Sequence, residues 1–196
     1  MILVLTNYRT GSTNFCQYLA KENNYLNCNE PFHPSKINEH EENIQLIKDN
    51  PRTVVKVMPH QIQHAKTPNL LDLLVDLSEK IYVLVRKDVY NQCKSHYIAI
   101  QLEDHWHSNF KNTKEITYNK DAWEHSLYFI CDQYSKLLKI TKTLPQFELI
   151  YTHQIPDSVK YHRPVKWDIE PIQVDPRIAN LIIDPQFEQL NIDINK

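Results

Sequence analysis

Apolar residues fall into short unbroken runs that alternate with longer stretches in which they recur every three or four positions. Ile2-Leu3-Val4-Leu5, Thr53-Val54-Val55-Lys56-Val57-Met58, Ile81-Tyr82-Val83-Leu84-Val85 and Phe147-Glu148-Leu149-Ile150-Tyr151 are of strand length and rich in β-branched and aromatic residues. Each predicts a strand. Leu70-Leu71-Asp72-Leu73-Leu74-Val75-Asp76-Leu77 suits a helix, as do the longer stretches 88–106 and 121–142. After the first run, Phe15 and Leu19 stand four apart, as on one helix face. Strands alternating with helices predict an α/β fold. The expectation is a three-layer parallel sheet of about four or five strands with helices on both faces, its ligands outside the strands' carboxyl ends. Beyond Pro156 the pattern breaks up at Pro164, Pro171, Pro176 and Pro185, with one helix expected near 177–183. This tail reads as a lid or a wrapping segment. No repeat, low-complexity tract or linker divides the chain, so residues 1–196 are expected to form a single domain.

Composition sharpens this picture at one point. An average protein of this length carries about 14 glycines, and this one has a single glycine, Gly11, in Tyr8-Arg9-Thr10-Gly11-Ser12-Thr13. The segment lies between the first strand and the first helix, where free N–H groups and the positive end of a helix dipole converge on an anion. With one glycine, neither the GxGxxG dinucleotide fingerprint nor the GxxxxGK[ST] phosphate loop can be built. The loop's cation is Arg9, whose planar fork suits phosphate or sulfate oxygens. The ordinary alternative is a strand-to-helix turn with a Ser or Thr cap.

A formal charge of −2 argues against general nucleic-acid binding, and no run is long enough for a signal h-region or a membrane span. Cys16, Cys28, Cys93 and Cys131 form neither a CxxC pair nor a dense framework, which suggests reduced cysteines in a cytoplasmic protein. His105 and His107 flank Trp106 without further ligands nearby, so no metal site is expected.

At the end of the third apolar run stands Arg86-Lys87-Asp88-Val89-Tyr90-Asn91-Gln92-Cys93-Lys94-Ser95, continuing to Ala99, Gln101 and Trp106. Together with Arg9-Thr10-Gly11-Ser12-Thr13, this resembles the sulfotransferases that use 3′-phosphoadenosine 5′-phosphosulfate. The first loop is similar to the arginine-type loop of carbohydrate and bacterial members, and the Arg86 segment is most similar to the bacterial trehalose-sulfotransferase type. Asn29-Glu30-Pro31-Phe32-His33-Pro34 resembles the Glu-Pro segment of Golgi carbohydrate sulfotransferases. Val54-Val55-Lys56-Val57-Met58-Pro59 and Leu149-Ile150-Tyr151 resemble the second-strand segment and last strand of the bacterial type. The likeness covers roughly residues 1–155 in order and spacing.

The resemblance implies transfer of a sulfuryl group from the nucleotide donor to an acceptor hydroxyl, on a carbohydrate-like small molecule or glycan, without a metal. It implies that Arg9, Thr10, Gly11, Ser12 and Thr13 bind the 5′-phosphosulfate. Arg86 and Ser95 would bind the 3′-phosphate, and Lys160 and Arg163 are candidates for C-terminal nucleotide contacts. Glu30 is the first choice for the base that takes the acceptor's proton. His60, which titrates near neutrality without tuning, is its rival, and His33 a third option. Lys56 would steady the bridging oxygen, or it merely interrupts a strand. The ordinary readings of Arg86, Ser95 and Glu30 are a salt bridge with Asp88, a helix serine and a surface loop carboxylate. Segments 35–50 and 108–118 and the tail are the expected walls of the acceptor pocket. Two other functions stay open. One is a noncatalytic nucleotide- or anion-binding protein of the same fold. The other is an ATP- or GTP-dependent phosphotransferase, although its Lys-Ser/Thr pair is missing.

Overall fold

The computed structural model of the chain describes residues 1–101 and 119–155. Five strands, β1 (Ile2–Thr6), β2 (Leu26–Asn29), β3 (Thr53–Val57), β4 (Lys80–Val85) and β5 (Glu148–Tyr151), form one sheet in the order β2-β3-β1-β4-β5. Every pairing is parallel. Parallel neighbours need long crossovers, and helices fill them: α1 (Ser12–Asn23), α2 (His40–Asp49), α3 (Pro59–Gln63), α4 (Leu70–Asp76), α5 (Val89–Gln101) and α6 (Lys120–Thr141). Helices lie on both sides of the sheet, so the three-layer α/β architecture expected from the pattern is the one observed.

The continuous apolar runs follow from that layering. A strand covered on both faces has no polar side, and every residue of β1 and β3 is buried, Lys56 included. In register, Val4 lies between Lys56 of β3 and Tyr82 of β4. Ile2, Val4, Val54, Tyr82 and Leu84 pack with Phe15, Cys16, Leu19 and Ala20 of α1. The Phe15–Leu19 face expected from their spacing is therefore the buried one.

Three elements had no clear expectation in the sequence. β2 is an edge strand with no fully buried residue, α2 runs through the segment read only as a pocket wall, and α3 is a single short helix. Pro59, two residues after β3, opens α3, where its missing N–H is no loss.

The described residues divide into two compact units, residues 1–86 with 133–155 and residues 87–101 with 119–132. The first holds the whole sheet. The second holds α5 and the opening turns of α6, where Trp123 meets Tyr90 and Tyr97 edge-on and His96 stacks on Phe129. The long helices expected over 88–106 and 121–142 are observed as α5 and α6, the part of the former beyond Gln101 lying outside the described residues. None of the described helices is long and apolar enough to cross a membrane.

Candidate functional site

The connection leaving β1 runs through α1 towards β2, whereas the chain after β4 goes the other way to β5. A sheet whose direction of progression reverses opens a crevice at the carboxyl ends of the two strands flanking the switch. Those strands are β1 and β4. Residues 7–13 leave the first, and Arg86 leaves the second.

Buried hydroxyls hold the loop after β1. Thr6 and Thr10, both fully buried, place their Oγ1 atoms 2.7 Å apart, and Thr6 Oγ1 lies 3.1 Å from the Leu84 carbonyl. Thr152 Oγ1, at 3.0 Å from both the Thr10 and the Val85 carbonyls, ties the loop to the ends of β4 and β5. Arg9 (φ 60°) and Gly11 (φ 78°) both adopt the left-handed conformation, which glycine takes without penalty and arginine does not. Gly11 is the N-cap of α1 and supplies no side-chain cap, and the first turn holds no acidic residue. The N–H groups of Ser12 and Thr13 have no acceptor among the described residues. Arg86 comes to this loop as well: its Nη1 donates to the Arg9 carbonyl at 3.3 Å, and its backbone N–H donates to the Tyr134 hydroxyl at 3.1 Å.

Beneath the first turn of α1 lies Lys56, 1% exposed. Residues two apart on a strand share a face, so Lys56 follows Val54 on the side that α1 covers. Its Nζ is 2.7 Å from Glu30 Oε1 and donates to Thr13 Oγ1 at 2.9 Å. The third Nζ hydrogen has no acceptor among the described residues. Glu30 reaches this point because β2 ends in an irregularity. Its register with β3 shifts between Asn27 and Asn29, Asn27 Oδ1 accepts the Asn29 N–H at 2.9 Å, and Asn29 turns left-handed (φ 50°). The second carboxylate oxygen, Oε2, accepts from Gln61 Nε2 at 3.0 Å. Gln61 is fully buried, and sequence reasoning missed it. A glutamine three residues after an N-cap is the available signal, since its Oε1 turns back to accept the Met58 N–H at 3.0 Å. Nothing local shows that the other end of the amide meets Glu30.

The remaining candidates are dispersed. His60 stacks on Tyr8 with ring centroids 5.1 Å apart, and its Nε2 is 2.8 Å from the Tyr8 hydroxyl. Its Nδ1 is buried and has no partner among the described residues. Burial lowers the His60 imidazole to about 4, with His33, His64 and Lys136 adding to the drop and Glu30 opposing it. Tyr8 is raised above its usual value by burial and by the Glu30 charge. Cys16 is pushed up to about 12 by burial, Lys56 opposing and Glu30 adding, which makes it an inert packed thiol. His33 accepts the Ser35 N–H through Nδ1 at 3.2 Å and caps the short 3-10 turn Pro34–Glu39. Ser95 is half-buried on α5, in the second unit.

The structure thus brings together Arg9, Thr10, Gly11, Ser12, Thr13, Glu30, Lys56 and Arg86 at one end of the sheet, with Tyr8 and His60 as a stacked pair. Among the described residues, no three His, Cys, Asp or Glu side chains gather into a metal-binding group. Lys160, Arg163, His105, Trp106, His107, the 108–118 connection and the 177–183 helix lie outside the described residues. No protein-family model matches the chain, and no curated protein matches it.

Proposed function

We propose that this protein is a sulfotransferase that moves a sulfuryl group from 3′-phosphoadenosine 5′-phosphosulfate to the hydroxyl of a carbohydrate-like acceptor. The observation that carries the reading is the buried Lys56, which touches at once a hydroxyl of the anion-facing turn, Thr13, and a carboxylate suited to act as base, Glu30. An ammonium group with one unfilled donor, beside two helix N–H groups that lack acceptors, fits a strongly anionic ligand.

In this reading the acceptor oxygen attacks sulfur and its proton passes to the Glu30 carboxylate. The bond from sulfur to the bridging phosphate oxygen breaks, and the electron pair stays on that oxygen. Charge on the transferred group and the leaving oxygen is met by Arg9, the Ser12 and Thr13 N–H groups and Lys56, all fixed before the reaction. Glu30 serves better than His60 because the Tyr8 hydroxyl occupies His60 Nε2, whereas the Glu30 carboxylate keeps lone pairs beyond those that meet Lys56 and Gln61. Arg86 holds the nonreacting part of the nucleotide at the β4 side of the crevice.

Two measurements test this. In a thermal-shift panel without metal, 3′-phosphoadenosine 5′-phosphate at 100 times its dissociation constant adds about 2.7 kcal/mol, whereas adenosine 5′-phosphate gives much less. Glu30→Gln keeps the nucleotide response and loses about 10²–10⁴-fold in turnover. Equal responses to the two nucleotides, tight binding of ATP that depends on magnesium, or an active Glu30→Gln variant would each overturn the proposal.

A further inference from the structure

We infer that Gln61 is a positioning residue for the Glu30 carboxylate, an inference that rests on the sulfotransferase reading. The orientation of the Gln61 amide is settled by its partners. The Met58 N–H can only donate, so the Gln61 atom 3.0 Å from it is the carbonyl Oε1. The NH2 group therefore faces Glu30 Oε2, also at 3.0 Å. With Lys56 on Oε1 at 2.7 Å, each carboxylate oxygen has one fixed donor, and the plane of the carboxyl group is held from both sides. Neither Gln61 Nε2 nor Lys56 Nζ can accept the incoming proton in these roles. The proton must enter through the remaining lone pairs of Glu30, whose side chain is 21% exposed.

The identity of residue 61 carries the argument further. If the side chain only capped α3, glutamate would satisfy the Met58 N–H equally well and would also favour the positive end of the helix. What the amide adds is a donor for a neighbouring carboxylate. A fully buried glutamine has both ends of its amide engaged, one by the helix cap and the other by Glu30.

The test follows release of 3′-phosphoadenosine 5′-phosphate from the sulfated donor over a range of donor concentrations, with a panel of hydroxyl acceptors, water included. Wild type, Glu30→Gln, Gln61→Met and Gln61→Glu are compared. Gln61→Met keeps the volume and removes the donor. Gln61→Glu keeps the cap on Met58 and sets a like charge beside Glu30, so it carries the test if the methionine variant fails to fold. Both are expected to bind the nucleotide as wild type does. Their kcat falls by up to about 10²-fold while the donor's KM stays at the wild-type value. A folded Gln61 variant with wild-type kcat overturns the inference while leaving the sulfotransferase reading intact, provided that Glu30→Gln is inactive. A wild-type protein that releases no nucleotide with any acceptor overturns both.

Discussion

Replacing Lys56 with methionine measures how far the proposed site is also a structural joint. The substitution removes an ammonium group that is 1% exposed and leaves Glu30 facing the interior with one donor, Gln61. Breaking a fully buried ion pair from one side costs about 3–5 kcal/mol. The Glu30 side chain keeps 21% of its exposure, and the carboxylate retains one hydrogen bond, so the expected loss is about 2–3 kcal/mol at pH 7. For a chain of this size that lowers Tm by about 4–12 °C. Lys56→Met/Glu30→Gln, with both charges gone, should be more stable than the two single losses add up to, by about 1–2 kcal/mol. The pair Lys80–Glu148, 3.0 Å apart but with side chains 49% and 50% exposed, is the control. Its removal costs below about 1 kcal/mol, and that cost fades with salt. Urea unfolding of the four Lys56/Glu30 combinations, compared at constant m, decides the matter. If Lys56→Met is as stable as wild type, or if the two losses simply add, the pair is not coupled and Lys56 has no special hold on Glu30.

Two further outcomes follow from the same region. His60 titrates near 4 in the folded chain against 6.5 free, so the stability it contributes is fully present above pH 6.5 and is lost as pH falls towards 4. After allowance for partial solvent access this amounts to about 1–2 kcal/mol, and denaturation midpoints should show a shallower acid decline over that window for His60→Gln; parallel declines would refute the assignment. At Gly11 an added Cβ meets nothing closer than Thr152 Cγ2 at 3.9 Å, so Gly11→Ala suffers only from its φ of 78°. Its cost should be about 1–2 kcal/mol, and a thermal scan showing a much greater loss would mean that the loop has no such open space.

Four of the five strands were legible, the edge strand β5 by its aromatic and branched residues although Glu148 is exposed. β1, β3 and β4 read as continuous apolar runs because helices lie on both sides of them. β2 could not be read in the same way: Leu26 is 50% exposed, and Asn27 and Asn29 are poor strand formers. It exists because β3 offers it a parallel edge, a cause that no window of four residues contains. α2 was hidden differently. Its buried positions, His40, Ile44 and Ile47, have helical spacing, but the first is a histidine, which does not count as apolar in a periodicity search.

The site was legible where it depends on backbone and illegible where it depends on strand order. A single glycine between a strand and a helix is a local signal, and the turn it marks has the left-handed N-cap and acceptor-free N–H groups that such a glycine suggests. Lys56 stayed ambiguous because a lysine in an apolar strand has the same local pattern whether it is paired or merely tolerated. Its meaning comes from β3, third in the chain, being inserted between β1 and β2. Only in that order does one side chain of β3 lie beside both the turn that follows β1 and the carboxylate that follows β2. The same order sets β4 on the free side of β1, which brings the Arg86 guanidinium to the Arg9 carbonyl. Exchanging β3 and β4 around β1 would leave every local motif intact and separate Lys56 from Glu30. The chemistry proposed here therefore resides in the topology as much as in the residues.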